Sequence, residues 1–265
     1  MEKKLAGKTA LITGGARGLG RVYALRLAKL GAHVGVIDID FYSYKEFAAE
    51  TARMTANTVI EELKNEGVNA AGVTADIGDY RQVQAAVKEI ASQLGDINIL
   101  VTNAGGGMGS VTDNRASMMD QELLHKVMDL NFHGTVNAVT CVTPMMKKKR
   151  YGKIVTISSI AALYPFPNGG YAHYGAAKGA VITYTKYLAQ ELGEYGINAN
   201  CMLLGRIGTG KVLEKLGRNS TEPIALGRLG TPEECADVLE FLTTDMSSYV
   251  TGAVIEVSGG FVGLS

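Results

Sequence analysis

Short apolar runs alternate with longer amphipathic segments along the whole chain. Residues 9–13 (TALIT), 33–38 (HVGVID), 69–75 (NAAGVTA), 97–102 (INILVT), 153–158 (KIVTIS), 197–203 (INANCML) and 252–257 (GAVIEV) read as strands. Between most of them apolar positions recur at helical spacing, as in 20–31 (GRVYALRLAKLG) and 79–95 (DYRQVQAAVKEIASQLG). Strands that lack polar alternation are buried on both faces, which calls for helices on both sides of a parallel sheet. The expected fold is α/β: a doubly wound, seven-stranded parallel sheet of Rossmann-like type, with right-handed crossovers. No linker, repeat or compositional break interrupts the 265 residues, so residues 1–265 are expected to form a single domain.

One segment fits this rhythm less well. Between Asp38 and the strand near Asn69, FYSYKEF (41–47) precedes an Ala/Thr/Glu-rich stretch with apolar positions at Met54, Val59, Ile60 and Leu63. The plain reading is a hydrophobic lead-in to one ordinary helix. The aromatics alternatively cover the adenine end of a nucleotide or form a subunit contact.

Composition narrows the partners. Twenty-six basic and twenty-six acidic residues cancel, so neither nucleic acid nor an anionic membrane is indicated. The basic run Lys147–Arg150 reads as a solvated helix end, where cations suit the helix dipole. Three widely spaced cysteines without C-x-x-C point to unpaired thiols in a reducing compartment. The four histidines show no ligand spacing, so no metal is expected. The first apolar run is too short for a signal peptide and runs into a glycine turn, and none reaches the roughly 18 residues a membrane span needs. A soluble cytoplasmic protein acting on a small molecule is the expectation.

The chemistry begins at TGGARGLG (13–20), which joins the first strand to the first helix with Gly14, Gly18 and Gly20 in G-x-x-x-G-x-G spacing. Glycines permit a sharp turn and close approach of a pyrophosphate, and the helix N-terminus supplies free N–H donors. After strand one of a βαβ unit, this arrangement points to a dinucleotide. Asp38 ends the second strand, where a carboxylate accepts hydrogen bonds from an adenosine ribose 2′-OH. It would also repel a 2′-phosphate, by roughly 4 kcal/mol for unit charges at 4 Å and effective dielectric 20. Arg17 pulls the other way as a 2′-phosphate partner, but an arginine free to swing into water is outweighed by the strand-end acid. NAD is expected rather than NADP.

Taken in order, TGGARGLG, Asp76-Ile77 in ADIGD, NAGG at 103–106, Asn131 in DLNFHG, ISS at 157–159, YGAAK at 174–178 and VTGAVIEVSGG at the C-terminal end give the chain its identity at family level. It resembles the short-chain dehydrogenases/reductases in their compact single-domain branch. The resemblance implies an NAD-dependent oxidoreductase acting on a secondary alcohol or ketone, with Asn131, Ser159, Tyr174 and Lys178 as catalytic residues. It implies cofactor contacts from Gly14, Arg17, Gly18, Leu19, Gly20, Asp38, Asp76, Ile77, Asn103, Ala104, Gly105, Ile207 and Thr209, and from Tyr174 and Lys178. It also implies a homotetramer built on the helices around 117–146 and 171–193.

The implied roles agree with acid–base chemistry. Tyrosine ionises near 10, too high for an efficient base at neutral pH; a lysine cation and an oxidised nicotinamide both favour tyrosinate. In the family the lysine also binds the nicotinamide ribose, the serine bonds the substrate oxygen and the asparagine holds a relay water. Tyr174 and Lys178 form an i, i+4 pair on one helix face, and long helical side chains lean toward the N-terminus, bringing the lysine to the tyrosine. Tyr171 lies on the same face, about 10 Å along the axis from Lys178, and is expected to pack or to wall the substrate pocket. His173 points elsewhere, as a structural or subunit-surface residue. By the family pattern Ser159 is the second serine of the pair after the fifth strand, with a surplus of about two residues absorbed in 164–170; strand alternation turns Ser158 away.

Two departures from the family pattern stand out: Leu204-Gly205 replaces the usual Pro-Gly, and Ser258 replaces the usual acid before the terminal Gly-Gly. Segments 106–110, 161–171 and 207–217 are expected to line the substrate pocket, and their Met108, Tyr164, Phe166, Tyr171, Val212 and Leu213 favour an apolar, cyclic or aromatic substrate. A 3-hydroxyacyl/3-oxoacyl thioester (CoA or ACP) dehydrogenase/reductase is the alternative within the enzymes. A catalytically silent cofactor-binding partner subunit or redox sensor is the alternative outside them, opposed by the presence of all four catalytic residue types.

Overall fold

The computed structural model describes residues 3–110, 112–216 and 224–261. Strands β1 (Thr9–Thr13), β2 (His33–Asp38), β3 (Ala70–Thr74), β4 (Ile99–Thr102), β5 (Gly152–Ser159), β6 (Ile197–Leu204) and β7 (Val254–Val257) form one seven-stranded sheet. Its order is β3-β2-β1-β4-β5-β6-β7, and every pair is parallel. The expected doubly wound architecture is present, with each predicted strand at or within two residues of its place.

Alternation explains why the strands read as unbroken apolar runs. Ala10 and Ile12 enter a core layer with Tyr23 and Leu27 of α1 (Gly18–Lys29) and with Cys235 and Leu239 of α9 (Pro232–Thr243). Leu11 faces the opposite layer, with Val83, Val87 and Ile90 of α4 (Tyr80–Leu94) and Val139 and Val142 of α6 (Gly134–Lys149). Both faces are dry, so neither set can be polar. The chain goes outward from β1 to β2 and β3, then returns across β1 to start β4. Loops leaving β1 and β4 at their C-terminal ends therefore diverge and open a crevice.

The segment after β2 is not one helix. A 3-10 turn at Ser43–Glu46 leads into the single turn α2 (Ala48–Thr51), and helix resumes only at α3 (Val59–Asn65). Glu62 interrupts it. Its buried carboxylate takes a two-pronged ion pair from Arg21 on α1, at 2.6 Å on each prong, and the N–H and hydroxyl of Thr55, both at 2.7 Å. Wrapping residues 52–58 around that carboxylate costs the chain its helical path. Thr58 then caps α3 by accepting from the Glu61 N–H.

Two other local departures bear on function. Between α5 (Gln121–Met128) and α6 the helix widens into a π turn at Asp129–His133, which contains Asn131. Helix α7 (Ala172–Leu192) begins one residue after Tyr171, which holds a left-handed conformation with φ 58°. Tyr171 is therefore not on the helix face shared by Tyr174 and Lys178. The basic run does end a helix: Lys149 closes α6, and Lys147 pairs with Glu191 at 2.7 Å.

The Arg21–Glu62 pair gives a stability prediction. Burial pushes Glu62 up, but the bonds from Arg21 and Thr55 outweigh it and leave its carboxyl below the usual range. That stabilisation is complete above the unfolded value near ~4.3 and is lost as pH falls through the lower folded value. Arg21→Met, which strands the carboxylate in the interior, should cost about 3–5 kcal/mol at neutral pH in urea unfolding. A cost below ~1 kcal/mol would show that the pair does not organise this segment.

Candidate active site

The crevice is a cavity of about 610 Å³ at the C-terminal ends of the strands. The glycine turn after β1 is fixed by its neighbours: Asn103, just past β4, donates its amide to Thr13 O at 3.2 Å and Gly14 O at 2.8 Å. The Ala104 N–H donates to the Thr13 hydroxyl at 3.1 Å. A side chain at Gly20 would strike Gly14 O at 2.0 Å, so glycine there lets α1 pack on its own turn. Gly18 has φ 56°, in the left-handed region that favours glycine. Arg17 gives the N-terminus of α1 no side-chain cap, leaving that end facing the cavity.

Asp38 closes β2 with its carboxylate over this turn, accepting from the Ala16 N–H at 2.8 Å and the Asp40 N–H at 3.2 Å. Burial pushes its carboxyl up, and those N–H donors pull it back only in part. Gly14, Leu19, Gly20, Asp76, Ile77, Gly105, Ile207 and Thr209 line the same cavity, so every position expected to touch a cofactor borders one space. Asp76 is held by the Gly78 N–H at 2.8 Å, and Ile77 packs where a side chain on Gly134 would intrude. A glycine cradle at a helix N-terminus and a strand-end acid in one cavity fit a dinucleotide.

Two expectations fail at this end. Arg17 is not free in water: its Nη1 donates to Glu46 at 2.7 Å and Ser43 O at 3.2 Å, with the guanidinium over the Phe47 ring. The Gly18 N–H is not free either; it donates to Glu50 at 3.1 Å. The other oxygen of Glu50 accepts from the Gly210 N–H at 2.6 Å, in the first turn of α8 (Gly210–Leu216). Glu50 thus ties the glycine turn to the segment following Thr209. Ser43, Glu46, Phe47 and Glu50 all line the cavity, so this segment is part of the site rather than a lead-in. The aromatics hinted at it, but the acids gave no signal, because Gly210 lies far along the chain.

At the other end the chemistry converges. Lys178 is buried, its Nζ donating to Ile157 O at 2.9 Å and lying 5.9 Å from the Tyr174 ring centroid. Burial pushes the lysine down to about 8. Tyr174 is pushed up to about 12, again by burial, while a hydrogen bond with the Ser159 side chain and the proximity of Tyr171 act in opposite directions. Without a bound cofactor the tyrosine is therefore raised, not lowered as the pair alone leads one to expect. Ser159 faces the cavity and accepts from the Ala161 N–H at 3.3 Å; Ser158 donates to Lys178 O at 2.8 Å and steadies the helix. Asn131 is fully buried away from the cavity lining. Its amide donates to Gly106 O and Val127 O, both at 2.9 Å, and its oxygen accepts from the Gly106 N–H at 2.9 Å. Through these bonds the side chain holds the loop after β4.

The family departures are harmless. Gly205 N–H donates to Val257 O at 2.9 Å, so the β6–β7 ladder fixes this turn without a proline. Ser258 accepts from the Phe261 N–H at 3.1 Å and donates to Glu256.

Comparison with known proteins agrees with this geometry. A family model described as enoyl-(acyl carrier protein) reductase matches residues 14–262. The chain is 48% identical to a cyclohexanol dehydrogenase of Rhodococcus sp. (strain TK6) over 260 residues, 97% of this chain and 96% of that protein. Among solved structures it is similar to a 3-oxoacyl-[acyl-carrier protein] reductase with bound NAD from Brucella melitensis: 34% identity, TM-score 0.83, covering 98% of this chain and 93% of that one. A short-chain type dehydrogenase/reductase from Mycobacterium ulcerans gives 29% identity and TM-score 0.81 over 97% and 90%. The chain belongs to the short-chain dehydrogenase/reductase family. Among the described residues, no helix is long and apolar enough to cross a membrane.

The substrate side of this dehydrogenase/reductase differs from expectation in detail. Met108 and Val212 line the cavity, but Tyr164 turns edge-on to Phe261, at 5.4 Å between centroids. Phe166 and Tyr171 pack beside Tyr174 instead, at 5.6 and 5.2 Å between successive centroids. Gly217, at the end of the third expected segment, lies outside the described residues. His173 is buried, with Nε2 3.1 Å from Met108 O and its ring edge-on to Tyr171, so it is structural rather than at a subunit surface.

Tyr171 reaches over the loop after β4 so closely that a side chain at Gly107 would meet its hydroxyl at 1.5 Å. Gly107→Ala should therefore cost about 1–3 kcal/mol by overpacking, and close to nothing in a Tyr171→Ala background. Equal costs in the two backgrounds, read by denaturant unfolding, would show that Tyr171 does not occupy that space.

Proposed function

We propose that the protein is an NAD-dependent dehydrogenase that exchanges hydride between nicotinamide and a compact cyclic secondary alcohol or its ketone. The observation that carries this reading is one cavity with Asp38 at one end and Tyr174, Ser159 and Lys178 at the other. The nicotinamide, when bound, supplies the hydride acceptor or donor.

Every other part of the step falls to the chain. Ser159 bonds the substrate oxygen and orients it toward Tyr174. Tyr174 as tyrosinate takes the hydroxyl proton during oxidation, and as tyrosine returns it during reduction. The Lys178 cation favours the tyrosinate and binds the nicotinamide ribose. Asn131 acts through the backbone it holds, keeping Gly105 and Gly106 against the cavity; a side chain at Gly105 would meet Asn131 Oδ1 at 2.7 Å and Lys178 Nζ at 3.0 Å. Glu50 keeps the segment at Thr209 and Gly210 folded against the glycine turn, which limits water entry.

The cyclohexanol dehydrogenase relative and the aromatic packing beside Tyr174 support a compact ring as substrate. The 3-oxoacyl reductase neighbour supports the second reading, a 3-hydroxyacyl/3-oxoacyl thioester. The homotetramer the family resemblance implies, built on the helices around 117–146 and 171–193, would cover Tyr187 on α7, which is exposed in the isolated chain. A cytoplasmic location is part of the same reading.

Kinetics test it. With NAD and cyclohexanol, Tyr174→Phe should lower kcat by about 10²–10⁴-fold while dinucleotide affinity changes by less than about threefold. Full turnover in that variant contradicts the assignment of the base. Higher kcat/KM for a 3-hydroxyacyl thioester than for cyclohexanol would establish the second reading.

A further inference from the structure

Arg17 projects from the glycine turn toward the end of the cavity where the adenosine ribose would lie. Its position is set by residues 43–47, which follow β2 without a break. The Glu46 carboxylate and the Ser43 carbonyl take Nη1, and Phe47 lies against the guanidinium, 4.7 Å from its carbon to the ring centroid. Both contacts use Nη1, so the Nη1 edge of the planar guanidinium fork is taken and its charge is partly offset by the Glu46 carboxylate, which turns the group away from a phosphate arriving at the ribose. Asp38, Asp40, Glu46 and Glu50 border this part of the cavity with Arg17.

We propose that Glu46 is a cofactor-specificity residue that withdraws Arg17 from service as a 2′-phosphate partner. Selection for NAD then has two parts. Asp38 repels a 2′-phosphate, and Glu46 occupies the cation that would offset that repulsion. This rests on the NAD reading above and adds a second determinant to it.

Coupling between the two parts follows from their charges. An exposed ion pair is weak alone, and a phosphate dianion would be expected to break it. A phosphate arriving here would meet Asp38, and pulling Arg17 away would leave the Glu46 carboxylate without its ion-pair partner in a cavity that Asp38 and Asp40 also line. Removing Asp38 alone leaves Arg17 engaged; removing Glu46 alone leaves the repulsion. The two substitutions together should exceed the product of their separate effects.

The test reads the adenosine end without turnover. Adenosine 2′,5′-bisphosphate and 5′-AMP are titrated calorimetrically into the wild-type protein, Glu46→Gln, Asp38→Asn, the double variant, and the double variant with Arg17→Ala. Asn at 38 retains one oxygen to accept from the turn, and because Asp38 itself meets the ribose, 5′-AMP affinity is compared only between variants that share the same residue at 38. Glu46→Gln in the Asp38→Asn background should tighten the bisphosphate by about five- to tenfold with 5′-AMP unmoved. Arg17→Ala should abolish that gain, and salt should shrink it. Glu46→Gln alone, at an exposed position, should shift the same ratio in the same direction by a smaller factor. NADP kcat/KM should follow the bisphosphate.

No gain from Glu46→Gln in either background overturns the proposal. So does a gain that survives Arg17→Ala, because the effect would then be removal of a negative charge alone. A wild-type protein that already binds the bisphosphate more tightly than 5′-AMP contradicts the NAD reading itself, and is distinguishable from both.

Discussion

Lys178 carries its amine into the interior, where Nζ donates to Ile157 O at 2.9 Å and burial pushes it down to about 8. The same dry surroundings push Tyr174 up to about 12. Each group resists its own charged form, yet their charges are opposite and their chains are one helical turn apart. Ionising one lowers the cost of ionising the other, so the pair is more responsive to an added positive charge than either group in water. The sheet, the glycine turn and the loop after β4 all serve to keep Lys178 buried and Tyr174 at the cavity wall, in register with each other.

Keeping it so requires the strand ends to be locked together. Asn103 and Thr13 join β4 to the glycine turn, Asn131 holds Gly106 from the π turn, and Ser158 fastens α7 to β5 through Lys178 O. Asn103, Thr13 and Asn131 satisfy backbone groups that strands leave open at their ends, whereas Ser158 adds a bond to a carbonyl inside α7. Glu50 adds a further tie, joining the start of α1 to the first turn of α8.

The strands and the pair Tyr174–Lys178 were legible because each depends on local periodicity: two residues for a strand, four for a helix face. Asp38 was legible from its place at the end of β2. The break at Glu62 was not, because its cause is a carboxylate partnered from α1. Arg17 was misjudged for a related reason, since Glu46 reaches it from a 3-10 turn that has no marked pattern. Tyr171 was placed on the wrong helix face because the start of α7 depends on one left-handed residue, not on apolar spacing. Asn131 was identified by position, but its hydrogen bonds to the backbone became visible only when Gly106 was seen beside it.

Tyrosinate absorbance near 295 nm, followed against pH in the free protein, with NAD+ and with NADH, tests the central claim most directly, using Tyr174→Phe to identify the signal. In the free protein the Tyr174 midpoint should lie at about 12. With NAD+ bound, the Tyr174 step should move down by roughly two units or more, while uncharged reduced nicotinamide should move it much less. A Tyr174 titration that NAD+ leaves unchanged would contradict the account, because the buried pair would then not respond to the charge for which it is placed.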